Sequence, residues 1–125
     1  MKKWLAPVII AVSMLLIIIV LIFALFSYGI HWAYDIQRLD GQEIINVSES
    51  PDASYTVTAY LNSGGATVDF AVLCAVKNNG TGEERNIYWN YHCQTADIQW
   101  LDDKTIRING IELDVTKDLY DYRRN

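Results

Sequence analysis

Two hydrophobic rhythms divide this chain. From Leu5 to Phe26 no residue is charged and Ser13 is the only polar one. At 1.5 Å rise per residue, roughly 22 helical residues span about 33 Å, close to a hydrocarbon core of about 30 Å. A helix of a small soluble domain would carry a polar stripe over that length. A membrane-spanning helix over residues 5–27 is therefore expected. Lys2 and Lys3 precede it and the first acid, Asp35, follows it. The positive-inside rule then keeps residues 1–4 in the cytoplasm and exports the rest. Trp4 at one end and Tyr28, Trp32 and Tyr34 at the other suit the two headgroup zones, where amphipathic rings are favoured. A cleaved signal peptide is the competing reading. Its apolar core runs about 7–15 residues before a small-x-small site. The run here is longer, and Ala24-Leu25-Phe26-Ser27-Tyr28 is a poor cleavage site, so an uncleaved anchor is expected.

Beyond the span, residues 28–42 read as a stalk that could continue the helix, broken at Asp40-Gly41. From Glu43 the rhythm changes to alternation. Glu43–Val47 is a short strand, and Ser50-Pro51-Asp52-Ala53-Ser54 is turn chemistry. Tyr55–Leu61 sets Val57, Ala59 and Leu61 on one face. After Asn62-Ser63-Gly64-Gly65, Thr67–Lys77 sets Val68, Phe70, Val72, Cys74 and Val76 on one side. Arg85–Tyr91 alternates Ile87, Trp89 and Tyr91 against Tyr88, Asn90 and His92. Ala96–Leu101 is a further strand. Thr105–Ile108 and Ile111–Val115 flank Asn109-Gly110, the pair that best tolerates the positive φ angles of a two-residue hairpin turn. The expected fold is one N-terminal transmembrane helix followed by a small all-β antiparallel domain over residues 43–125. About five to six strands would form a rolled sheet or small sandwich.

Charge sharpens the picture. The chain carries −5, and without Lys2 and Lys3 the exported part has eight basic and fifteen acidic residues, or −7. That sign opposes nucleic acid, whose binding needs basic patches, and opposes adhesion to anionic lipid. In an oxidising compartment Cys74 and Cys93 could form a disulfide, closing a loop worth about 3 kcal/mol. Two buried free thiols are the other reading, and spacing leaves both open.

Several segments carry a resemblance. Ser50-Pro51-Asp52 with Tyr55, Gly64-Gly65-Ala66-Thr67-Val68-Asp69, Ile87-Tyr88-Trp89-Asn90-Tyr91-His92-Cys93, Ala96-Asp97-Ile98-Gln99-Trp100-Leu101-Asp102-Asp103 and Ile106-Arg107-Ile108-Asn109-Gly110 together cover nearly the whole exported part. In them the chain resembles an uncharacterised family, a domain of unknown function, of short single-pass membrane proteins from Gram-positive bacteria. Ala53 departs from the Gly that similar chains tend to carry. The resemblance implies a membrane topology and no activity.

Candidate chemistry is sparse. Tyr88, Tyr91 and His92 form a candidate binding surface, since flat rings could stack on sugars of the cell wall. Trp89 and Tyr91 share parity with Ile87 and are expected in the core, leaving Tyr88 and His92 as the exposed pair. His92, Cys93 and Asp97 lack the paired spacing of a metal site. Asp102, Asp103, Asp114, Asp118 and Asp121 lack the order of a calcium loop. No nucleophile elbow, phosphate loop or zinc-protease motif occurs, so no catalytic residue, metal or cofactor is expected. The expected role is a membrane-anchored binding or accessory module at the cell envelope, facing a protein or cell-wall partner. A structural subunit of a membrane complex and a small envelope enzyme are the alternatives.

Overall fold

The structure is a computed structural model and describes residues 3–65 and 67–124. Lys2, on which the expected orientation partly rests, and Ala66 of the resembling segments lie outside the described residues. The chain forms two compact units, Met1–Asp35 and Ile36–Asn125.

The first unit is one helix, α1 (Leu5–Ala33), exposed on all sides and long and apolar enough to cross a membrane. Its 29 residues span about 44 Å, so the helix continues through the aromatic segment after Phe26. The Ser13 hydroxyl donates to the Ile9 carbonyl of its own helix at 2.8 Å, which satisfies the one polar side chain of the apolar stretch.

The described residues of the second unit form eight strands in two sheets, mostly antiparallel, as the alternation predicts. One sheet has the order β1 (Glu43–Glu49), β2 (Tyr55–Ser63), β3 (Phe70–Asn78), β4 (Glu84–Tyr91) and β8 (Tyr120–Asp121). The other is β5 (Ile98–Trp100), β6 (Thr105–Ile108) and β7 (Ile111–Asp114). The strand count exceeds the expected five to six, and one of the additional strands, β8, comes from the polar tail. It pairs with β4 in parallel, through Tyr88↔Tyr120 and Trp89↔Asp121.

Alternation builds the core. Val57 and Ala59 of β2, Val72, Cys74 and Val76 of β3, and Ile106, Ile108, Leu113 and Val115 from the smaller sheet's side make one buried cluster. Phe70 and Val68, expected on the same face, are exposed. Val68 lies ahead of β3, and Phe70 is its first residue. Asn109 and Gly110 adopt φ of 49° and 87°, and Ile108 faces Ile111 across the hairpin.

The main departure is in β4. Cys74 pairs with Tyr88 and Ala75 with Asn86, so Ile87 is an extra residue in a β-bulge. A bulge inverts the facing of everything after it. Ile87 and Tyr88 are both buried in the core, and Trp89 and Tyr91 emerge on the opposite face. The expectation of Trp89 and Tyr91 inside and Tyr88 outside is thereby corrected.

That opposite face is partly covered by residues 36–42, expected as stalk. Ile36 is buried and opens a short 3-10 turn, Ile36–Arg38. Two glutamines then imitate strand pairing. The Gln37 side chain donates to the Asn86 carbonyl and accepts from its N–H, both at 2.8 Å. Gln42 does the same with Ser63, at 3.2 and 2.9 Å. Gly41 lies on the Tyr60 ring, where a Cβ would come within 2.3 Å of it.

Turn carboxylates close the loops. Asp52 accepts from Ser50 and Ser54, and Ala53 beside it sits at φ 62°. A left-handed alanine is strained by about 1–2 kcal/mol, partly offset because glycine also frees the unfolded chain. Ala53→Gly is therefore expected to raise stability by about 0.5–1 kcal/mol, read as a higher urea midpoint. Asp52 is held below its ordinary value of 3.8 chiefly by the Ser54 hydroxyl. Asp102 is lowered by the N–H groups of Lys104 and Thr105, and Asp114 by Thr116. Each binds fewer protons folded than unfolded, so its contribution is full above that ordinary value and fades as pH falls through the folded one. Urea resistance is expected to be flat from neutrality to about pH 5 and to decline below about pH 4. A decline already beginning at pH 6 would mean that other groups govern it.

Candidate functional site

The face exposed by the Ile87 bulge carries a groove. Ala71 of β3 and Trp89 of β4 lie in its floor, and Ala71 pairs with Tyr91 across the sheet. The small side chain at 71 leaves depth beside two large rings. Tyr122 joins them because β8 brings the chain back along β4, where the Tyr122 N–H donates to the Trp89 carbonyl at 3.0 Å. The rings of Tyr91 and Tyr122 stack with centroids 5.8 Å apart and planes inclined by 27°.

One rim is the entry to β3. The Asp69 N–H donates to the Tyr91 hydroxyl at 3.1 Å. Its carboxylate meets His92 Nδ1 at 2.8 Å and accepts from the Phe70 N–H at 2.8 Å. These contacts, His92 first, hold the Asp69 carboxyl below its ordinary range. His92 can reach it because its backbone turns left-handed, at φ 57°. The turn also lays the imidazole against Tyr91, with centroids 3.9 Å apart, where neighbours in a regular strand would point to opposite faces. The other rim is residues 38–42, tied down by buried Asn62. Asn62 accepts from the Gln42 N–H and donates to the Asp40 carbonyl, both at 2.8 Å.

The groove encloses about 440 Å³, within the range of about 300–1,000 Å³ usual for small-molecule sites. Another hollow, of about 510 Å³, lies among turn residues including Ser54 and Asn79. There the polar groups are bonded to each other, as in the Asn79 side-chain donation to the Ala53 carbonyl.

Of the three candidate surface residues, Tyr91 and His92 come together here, and Tyr91 lines the groove. Tyr88 does not: it is 1% exposed, inside the core. Cys74 and Cys93 also lie elsewhere. Both are free thiols. Cys74 is in the core, where burial, and secondarily Cys93, pushes its thiol up to about 12. Cys93 packs beside that core and donates to the Thr95 carbonyl at 3.3 Å. Among the described residues no group of three or more His, Cys, Asp or Glu side chains is placed to hold a metal.

Sequence reasoning missed Trp89, Tyr122, Asp69 and Asn62 as groove residues. For Tyr122 a signal exists, since Leu119-Tyr120-Asp121-Tyr122 alternates like a strand. For Trp89 there is none without the bulge.

Comparison with known proteins found no similar curated protein and no similar solved structure. A family described as "Family of unknown function (DUF5412)" matches residues 9–125, most of the helix and the whole β domain. With nearly all of its length matched, the chain belongs to this family of unknown function.

Proposed function

We propose that this chain is a single-pass membrane protein that displays its β domain outside the cytoplasm as a binding module of the cell envelope. The groove beside Trp89, Tyr91 and Tyr122 is its site. One observation carries the binding role. Large rings and polar rims converge on a sheet face that the domain's own second sheet leaves uncovered. A groove on paired strands is pre-formed, so binding does not spend free energy on ordering it. The membrane role is supported by α1, uncharged from Leu5 to Phe26 with Ser13 its one polar residue there, and by the basic residues before it.

Lysines test the display. Lys77, Lys104 and Lys117 are exposed on the β domain, and Lys2 and Lys3 precede the helix. In intact cells expressing the full chain, a membrane-impermeant amine reagent should modify the three domain lysines and spare Lys2 and Lys3. Modification of the domain lysines only after lysis would overturn the orientation.

A further inference from the structure

We propose that the ligand of this groove is an uncharged glycan, bound by stacking of sugar rings on Trp89 and Tyr122. The inference rests on the groove being a binding site, as proposed above, and adds the class of ligand.

Three observations select that class. The first is where the groove lies. It sits on the face of a sheet whose strands are already paired, with β3 between β2 and β4, and β4 between β3 and β8. An extended peptide gains its affinity from main-chain bonds to a free strand edge, and the edge beside this groove, β8, is only two residues long. Recognition here must use ring faces and side-chain polar groups.

The second is the local charge. The rims bring Arg38, Asp40 and Asp69 to the groove. Asp69 is already engaged by His92, and Arg38 stands against Asp40 in the balance. With His92 counted neutral the rims sum to −1, too little to recruit a polycation by charge alone, and the whole chain at −5 repels polyanions. An uncharged occupant fits.

The third is the mixture of surfaces. Trp and Tyr offer flat apolar faces with a polar handle. A pyranose has the matching form, an apolar C–H face edged by hydroxyls. The stack on Tyr91 and the bond from Tyr122 N–H to the Trp89 carbonyl hold the rings in place before any ligand arrives. A rigid sugar ring then loses little in docking.

The test titrates full-length protein in nanodiscs with chitotetraose and cellotetraose, and in parallel with inorganic polyphosphate and tetralysine, by calorimetry. At least one oligosaccharide should bind saturably. Tyr122→Ala should weaken it at least about tenfold, while Tyr122→Phe, which keeps the ring, should bind like the wild type. Trp89→Ala should also weaken binding, with its far-ultraviolet circular dichroism compared to the parent to verify folding. The glycan assignment is overturned if neither sugar binds, or if Tyr122→Ala binds sugar as the parent does. If tetralysine or polyphosphate binds instead and Tyr122→Ala abolishes it, the glycan is wrong while the groove remains a binding site. The lysine labelling experiment reports on display independently of either.

Discussion

Replacing Tyr88 with alanine is expected to cost the β domain about 4 kcal/mol, the usual loss for truncating a fully buried aromatic. The residue is 1% exposed and belongs to the cluster shared by both sheets. Its ring stacks on Tyr120, with centroids 5.4 Å apart. Its hydroxyl accepts from the side chains of Asn90 and Asn109, each at 3.2 Å, so truncation also strips two amides of a partner. Since small domains are stable by about 5–15 kcal/mol, the variant should melt far earlier or fail to fold. Tyr88→Phe keeps the ring and should cost about 1–2 kcal/mol. Tyr91→Ala, on the outward face, should cost much less than Tyr88→Ala. Thermal unfolding of the three variants, followed by near-ultraviolet circular dichroism, measures the order. If Tyr91→Ala proved the more damaging, the facing imposed by the Ile87 bulge would be wrong.

That contrast shows where the sequence stops being readable. Leu5–Phe26, the Asn109-Gly110 hairpin and the alternation of β2 and β6 are local signals. Each is set by a composition or a turn pair that few other structures satisfy. The bulge is not local. Ile87-Tyr88-Trp89-Asn90-Tyr91 alternates with its more apolar set, Ile87, Trp89 and Tyr91, on one side, yet Tyr88 on the other side is also a large ring able to fill a core. Which set is buried depends on pairing with β3, where Cys74 opposes Tyr88. The groove inherits that ambiguity, so of its residues His92 is legible as surface while the alternation assigns both Trp89 and Tyr91 to the core. Tyr122 has only the faint alternation of Leu119–Tyr122 to mark it. A two-residue parallel strand has no hairpin turn to announce it, and only its tertiary partner β4 makes it a strand. Residues 36–42 read as stalk because glutamine and asparagine clasps carry no hydrophobic period.

Arg123→Ala is the second change with a large expected effect, about 3 kcal/mol. Asp121 is 1% exposed. Burial pushes its carboxyl up, but the hydrogen bonds from Arg123 outweigh that and leave it below its ordinary value. The guanidinium donates through Nε at 2.9 Å and a terminal nitrogen at 2.7 Å, and the Arg123 N–H adds a bond at 3.0 Å. Removing the guanidinium leaves a buried carboxylate without its counter-charge, the costly half of breaking such a pair. A double variant, Asp121→Asn with Arg123→Ala, should recover much of the loss, since no bare charge remains. Urea unfolding of the two variants against the parent gives the comparison. Equal destabilisation in both would show that the charge itself is not what Arg123 compensates. Because Asp121 pairs with Trp89 in β8, the single variant should also loosen the groove floor.

Strand β1 has β2 on one side and ends the larger sheet on the other. It also presents Ile44 and Val47 at 60% and 56% exposure. A sheet edge that carries exposed apolar side chains invites edge-to-edge aggregation. Its first and last residues, Glu43 and Glu49, answer that hazard. Two copies zipping head to tail about Asn46 would set Glu43 of each against Glu49 of the other, and copies aligned side by side would set each glutamate against its twin. Either arrangement meets repulsion at both ends, so crowding should leave these molecules separate.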